Sequence, residues 1–291
     1  MDYIQLGRKA FEEEKYLKAL NYFSKAYEED GDLETLLDIA LTYQSLDDYD
    51  DALNTYQEVL TIDEDECRAY YGIATIYDEE EDYEKAVDYY KKAIEINPLY
   101  DRAYFFLADI YDNLEDKENA IYYYKGLLDI APHDFWGLTN LASIYEQLDM
   151  LEFSHKMFKA ALDVNHLHPI ALFNMGVILA RLGKYDKAIF YYQKSIEANK
   201  EYSYTFLNLA ILYKNMGEIQ KGIDILSEGI SYNPSEAFLY YNRACFYLLI
   251  DAHEQSLKDL EKAIAIHPNF LEYAQKDEDL IAILPGLLLS T

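Results

Sequence analysis

The stretch from Cys67 to Tyr100, CRAYYGIATIYDEEEDYEKAVDYYKKAIEINPLY, decides the fold. Tyr70, Ile73, Ala74 and Tyr77 recur at helical spacing, and Ala86, Tyr90 and Ala93 do the same, so the spacing predicts two short amphipathic helices closed by Asn97-Pro98. The unit is 34 residues long, and its columns recur through seven blocks from Leu33 to Phe270, with an eighth copy in front. One small column reads Ala40, Ala74, Ala108, Ala142, Gly176, Ala210, Ala244, preceded by Gly7. A second reads Ala52, Ala86, Ala120, Ser154, Ala188, Gly222, Ser256, preceded by Ala19. Where two helices cross closely, only Gly, Ala or Ser lets the backbones approach. A pair this short cannot bury its apolar stripe alone, so neighbouring pairs must stack.

Period and columns resemble those of the tetratricopeptide repeat. The aromatic near the start of the first helix is Tyr3, Tyr70, Tyr104, Phe206 and Tyr240, with Leu in the other blocks, and the closing proline is Pro98, Pro132, Pro234 and Pro268. The resemblance implies an all-α, right-handed α-solenoid, a superhelix of eight helix pairs plus a C-terminal capping helix. The expected repeats are 1–32, 33–66, 67–100, 101–134, 135–168, 169–202, 203–236 and 237–270, one array over 1–270. The fifth block departs from the pattern, with Ser154 in the second small column and Pro169 three residues beyond the usual place. This is read either as a softer joint between residues 163 and 169 or as a tolerated irregularity. Residues 271–291 are expected to form a capping helix from Leu271 to Leu284 and an apolar tail, Leu287 to Leu289. The tail either folds back onto the cap or offers a sticky end for self-association.

Charge is uneven along the chain. Residues 1–134 carry 35 acidic and 12 basic side chains, a balance of −23, against −6 in residues 135–291. Phosphate binding needs clustered Lys and Arg, so nucleic acid is excluded as a partner. Runs such as Asp47-Asp48-Tyr49-Asp50-Asp51 are either solvated turn and helix-start residues or an attraction for a basic segment of a partner. No apolar run approaches the ~18 residues that span a bilayer, so no membrane partner is expected. The amino-terminal residues lack a secretory pattern, and Cys67 and Cys245 stand in distant repeats, which together suggest a reducing, cytoplasmic location.

Two residues after the first-helix aromatic, a side chain points ~200° away from it, off the buried stripe. That position reads Asn140, Asn174, Asn208, Asn242 in the last four blocks and Asp38, Gly72, Phe106 in the blocks before them. In tetratricopeptide arrays the first helices line the concave groove, so the resemblance implies a ladder of amides there, each offering a donor and an acceptor to an extended peptide. Asn is also common in the repeat consensus, which is the plainer reading. Four residues before each Asn stand Trp136, Ile170, Tyr204 and Phe238; just before it stand Thr139, Phe173, Leu207 and Tyr241. Glu34, Arg68 and Arg102 replace the first set in the earlier blocks, so the groove is read as charged at its amino end and amide-aromatic at its carboxyl end. Such aromatics are either core or binding surface. The clamp that holds chaperone tails in this family is missing, since Thr139, Ser143 and Tyr204 stand where it needs Lys, Asn and Lys.

Catalytic motifs do not emerge: there is no phosphate-cradling loop, paired-cysteine zinc spacing or nucleophile elbow. Asp163, His166 and His168 could approach a metal, but His at i, i+2 in a turn is the pattern of solvated side chains. The expectation is a non-enzymatic, cofactor-free and metal-free scaffold for a protein or peptide. Alternatives are a self-assembling structural protein and a subunit that positions an enzyme.

Overall fold

The computed structural model describes residues 2–278, 280, 281 and 284, and among these residues every regular element is a helix. Contacts divide the chain into two compact units, one ending at Ile144 and the other beginning at Tyr145. In the first unit, α1 (Tyr3–Glu12), α2 (Tyr16–Asp30), α3 (Leu33–Gln44), α4 (Tyr49–Ile62), α5 (Cys67–Glu79), α6 (Tyr83–Ile96) and α7 (Asp101–Asn113) each pack on the next, as far as α8 (Lys117–Ile130). α9 (Phe135–Gln147) begins in this unit. The second unit continues with α10 (Leu151–Val164), α11 (Pro169–Arg181), α12 (Tyr185–Ala198), α13 (Tyr204–Asn215), α14 (Ile219–Tyr232), α15 (Ala237–Leu248), α16 (His253–Ile266) and α17 (Phe270–Lys276). Odd-numbered helices open the repeats, even-numbered ones close them, and within each unit successive helices pack in sequence order.

The small columns sit where the helices of a pair cross. Ala74 and Ala86, Ala108 and Ala120, and Ala210 are wholly buried. At Gly176 a Cβ would stand 2.6 Å from Cδ1 of Tyr192 on α12, so the backbone approaches the ring where a methyl would not fit. Large rings fill the space between pairs: Tyr56, Tyr90 and Tyr124 are buried in the first unit, Phe158 and Tyr192 in the second. They occupy one column, 34 residues apart.

The turn inside each pair contains one residue in the left-handed region, Glu14, Asp47, Glu81, Glu115, Asp149 and Asp251 among the non-glycines, with Gly183 and Gly217 in two repeats. Many remaining acids cap helices. Asp32, Asp82 and Asp116 accept the amide hydrogens of Thr35, Lys85 and Asn119, which satisfies donors a helix start leaves open. Part of the acidic runs, Asp47, Glu81 and Asp82 among them, is thereby assigned to backbone chemistry.

Pro169 is the first residue of α11 rather than a late closing proline, and His168 caps that helix, its Nδ1 accepting from the Ala171 amide at 3.3 Å. Of the three residues raised as metal ligands, His168 is therefore committed to the cap. No group of three or more His, Cys, Asp or Glu side chains is placed to hold a metal among the described residues. No helix among them is long and apolar enough to cross a membrane.

The capping helix differs from the expected Leu271–Leu284. α17 ends at Lys276, because the Asp277 backbone is extended and its carboxylate accepts the Leu280 amide at 3.2 Å, a turn that competes with helix. Leu280 is nonetheless fully buried against Ala244, Leu260 and Ala274, closing the end of the core. The apolar tail, Leu287 to Leu289, lies outside the described residues.

The last repeat carries one exception in its core. Arg243 stands in the column of Leu141, Met175 and Leu209, and its guanidinium donates to both Asp259 oxygens at 2.6 and 2.8 Å and to Ser227 Oγ at 2.8 Å. The Asp259 side chain is only 8% exposed. Asp259→Ala, which strands a buried cation, is expected to destabilise by ~3–5 kcal/mol. Arg243→Leu combined with Asp259→Ile, which installs the residues these columns hold at Leu209 and Ile225, should recover most of that loss. Urea unfolding of the two variants checks this; a single variant that melts like the parent would show that water reaches the pair.

Candidate functional site

In the first unit, α3, α5 and α7 line a cavity of ≈ 520 Å³ whose far side is closed by the Tyr56 and Tyr90 rings of α4 and α6. Its floor depends on Gly72. A Cβ there would run into the Tyr56 ring, so the absence of a side chain lets the ring lie across α5. The next repeat meets the same need differently: Phe106 stacks on Tyr90 at 6.2 Å and 9°. Tyr56 Oη donates to Gln44 Oε1 at 3.3 Å and Tyr90 Oη to Asp78 Oδ2 at 3.4 Å, so both hydroxyls point at the carboxyl ends of the odd-numbered helices.

The charged residues expected at this end of the groove have different settings. Arg68 is held by two carboxylates, Glu34 at 2.6 and 2.8 Å and Glu66 at 2.6 and 2.8 Å. Its guanidinium hydrogen bonds hold the Glu34 and Glu66 carboxyls below the usual range. Arg102 is exposed and lines both this cavity and a neighbouring one of ≈ 320 Å³. That second cavity has walls of Tyr71, Phe105, Phe106, Leu127 and Trp136, and Trp136 is 57% exposed on its rim.

The Asn column has no single role. Asn140 donates to Tyr124 Oη at 2.8 Å, tying the start of α9 to the ring of the preceding repeat. In the second unit, Asn208 and Asn242 donate back to the carbonyls of Tyr204 and Phe238, four residues earlier, at 3.0 and 2.8 Å. Their Oδ1 atoms remain as acceptors. All four Asn are half-buried.

Beside them, Ile170 and Tyr204 are 46% and 54% exposed, and Phe238 stacks on Tyr204 at 5.2 Å and 16°. Leu207 is half-buried, and Phe173 packs edge-on against Tyr202 at 5.2 Å. Tyr241 serves the cap: it packs on Phe270, and its hydroxyl donates to Asp277 Oδ2 at 3.2 Å. Sequence reasoning passed over Tyr71, Tyr100 and Phe105, although the break in the Asn column at Gly72 and Phe106 marks the place, and it read Asp78 only as part of the run Asp78-Glu79-Glu80-Glu81-Asp82, either solvated or attracting a basic segment.

Electrostatics separates this cavity from the acidic turns. Burial pushes the Asp78 carboxyl up to about 6, against the help of the Tyr90 hydroxyl and aided by repulsion from Asp109 and Glu79. Burial likewise raises Asp38, in spite of Arg8 at 3.5 Å, and Asp109.

Family models described as tetratricopeptide repeat match residues 35–66, 67–100, 101–134, 169–202 and 239–270, together more than half of the chain. A model described as anaphase-promoting complex subunit 5 matches residues 188–237. No curated protein matches the chain. Among solved structures the chain is similar to MamA, with a TM-score of 0.53 and 21% identity over 60% of this chain and 94% of that one. It is also similar to YrrB, described as a TPR protein with an unusual peptide-binding site, with a TM-score of 0.51 and 22% identity over 65% and 98%. A third likeness is to the APC/C hetero-tetramer Cut9-Hcn1, with a TM-score of 0.52 and 16% identity over 93% and 52%. At these identities the likeness is one of fold.

The Asp78 setting predicts a pH dependence. Its folded value of about 6 lies above the ~3.9 of an unfolded Asp. Between those values the native state keeps a proton the unfolded chain has released, so stability from this group is lost as pH rises through 6 and the loss is complete above it. Asp78→Asn still accepts from Tyr90 and carries no charge. It should therefore raise the urea midpoint at about pH 7.5, with a gain that shrinks towards nothing near about pH 4. A gain that stays constant over this range would mean the carboxylate is not what costs stability.

Proposed function

Because this chain belongs to the tetratricopeptide-repeat family, we propose that it is a non-enzymatic scaffold whose odd-numbered helices hold an extended segment of a partner protein. The observation that carries this reading is the apolar exposure at one repeat position: Trp136, Ile170 and Tyr204 are 57%, 46% and 54% exposed. Earlier repeats use Glu34, Arg68 and Arg102 there, so the helix face does not require an apolar residue for packing. Covering such side chains returns ~25 cal/mol per Å². The peptide-binding site named for YrrB and the hetero-tetramer named for Cut9-Hcn1 support a protein partner.

The amides direct the segment rather than hold it. Asn208 and Asn242 already use one donor each, and what remains returns ~0.5–1.5 kcal/mol net per hydrogen bond. Association costs ~4–15 kcal/mol, so the exposed apolar side chains of each unit must supply the larger part. A second reading, self-association through the carboxyl-terminal end, draws on Leu271, Tyr273 and Ile281, which are 40%, 54% and 52% exposed. Sedimentation at rising protein concentration separates the two, since only self-association makes the mass grow.

A photo-reactive phenylalanine analogue placed at position 204 is expected to cross-link a partner in the source cells, whereas the same group at Phe190, 53% exposed on α12, is expected not to. Asn174→Ala with Asn208→Ala should weaken the captured partner by at least about tenfold in calorimetric titration, ~1.4 kcal/mol, with helix content unchanged. Cross-linking from 190 alone would move the binding face to the even-numbered helices.

A further inference from the structure

The two cavities of the first unit adjoin, sharing Tyr71, Arg102 and Phe106, and their chemistry differs. The larger one is polarised along the helix axis. Arg68 lies at the amino-terminal end of α5 and Asp78 and Glu79 at its carboxyl end, ten residues or ~15 Å away. Arg68 is neutralised by Glu34 and Glu66, whereas Asp78 accepts from a tyrosine hydroxyl and forms no ion pair among the described residues. The carboxyl end of a helix adds its own negative partial charge to the two carboxylates. This end of the cavity is walled by the Tyr56 and Tyr90 rings, which limit water on one side. A guanidinium fits it on two counts, a planar fork for carboxylate and a flat face for aromatic rings. The smaller cavity is mainly aromatic and apolar, with the Trp136 indole at its rim; of its two carboxylates, Asp134 accepts the Gly137 amide and Asp101 the Arg102 amide.

We infer that the first unit reads two residues of a partner segment together, an arginine or lysine seated at Asp78 and Glu79 and a bulky apolar side chain seated beside Trp136. This rests on the reading that the odd-numbered helices carry an extended segment. The spacing follows from the helices. Asp78 lies seven residues along α5 from Tyr71, which faces both cavities, an axial offset of ~10 Å. The apolar cavity is also displaced sideways by one helix spacing, ~8–10 Å. The diagonal of ~14 Å corresponds to about four residues of extended chain at ~3.3 Å each. The segment therefore places its cation and its apolar anchor four positions apart.

The chain carries a single tryptophan, so Trp136 fluorescence reports the apolar cavity directly. The probes are capped nonapeptides on an Ala-Gln background, carrying one Arg and one Leu either four positions apart or adjacent, in both orders, titrated into the full chain. A spaced peptide in one of the two orders is expected to shift the emission to shorter wavelength and to bind at least about tenfold more tightly than the adjacent peptides. Replacing its Arg by Gln, or making Asp78→Asn with Glu79→Gln in the protein, should each cost at least about tenfold. Combining the two changes should cost little more than either alone. Circular dichroism and the peptide without Arg, whose affinity should be the same for parent and variant, show that the variant is folded. Equal affinities for spaced and adjacent peptides overturn the inference. So does a loss of Arg binding on changing Asp47, Asp50 and Asp51 to Asn instead, which would assign the attraction to the acidic turns. Neither result touches the cross-linking from position 204, which tests the broader reading separately.

Discussion

The structure depends on the close crossing of the two helices in each pair. Ala, Gly or Ser at both columns brings the backbones together, and this proximity fixes where everything larger must go. Side chains excluded from the crossing stack between pairs, which is why Tyr56, Tyr90, Tyr124, Phe158 and Tyr192 form one buried column. Three of these rings reach the first helix of the following repeat, Tyr56 over Gly72, Tyr90 on Phe106 and Tyr124 at Asn140, whereas Tyr192 lies against Gly176 of its own repeat. In those three repeats the residue met by the ring stands in the Asn column, so core packing and the chemistry of that column are set at the same position.

That coupling accounts for some of the settings of one column but not for Asn208. An Asn opposite a tyrosine hydroxyl can bond to it, as Asn140 does. Asn242 follows Leu226 in the ring column, so no hydroxyl faces it from the preceding repeat and its amide turns back to its own helix. Asn208 follows Tyr192 and still turns back, bonding to the Tyr204 carbonyl. Gly72 goes furthest, giving up its side chain so that the ring itself floors a cavity. The Arg243–Asp259 pair is the counterpart in the last repeat, where the core accepts polar groups only because the fork, the carboxylate and Ser227 satisfy one another.

The helices and their pairing were legible because period and small columns record backbone contact, which tolerates little substitution. Helix starts at Leu33, Cys67, Asp101, Phe135 and Pro169 fall where the blocks begin. Less local features were not legible. Pro169 reads in sequence as a displaced terminator, yet it opens α11, since proline lacks only a donor that the first turn does not use. The end of α17 is decided by whether the Asp277 carboxylate reaches the Leu280 amide, which no periodicity encodes. For the candidate site, the column and its neighbours were visible, but the partner of each amide was not: Asn140 meets Tyr124 on the preceding helix, whereas Asn208 and Asn242 turn to carbonyls four residues earlier on their own helices. The cavity above Gly72 was missed because it is made by what is absent.

Among the acidic residues of the first 134, backbone geometry and burial set two groups apart. Asp47, Glu81 and Glu115 occupy the left-handed turn position, and Asp32, Asp82 and Asp116 cap helices, so their charges follow from local structure. Asp38, Asp78 and Asp109 do neither. They are half-buried on the groove side of α3, α5 and α7, and burial raises all three carboxyls. A solubilising charge has no reason to stand where desolvation opposes its ionisation, because the same charge in a turn costs less and is just as well hydrated. Of the three, Asp38 and Asp78 line the ring-walled cavity, where neither a helix cap nor a turn calls for a carboxylate.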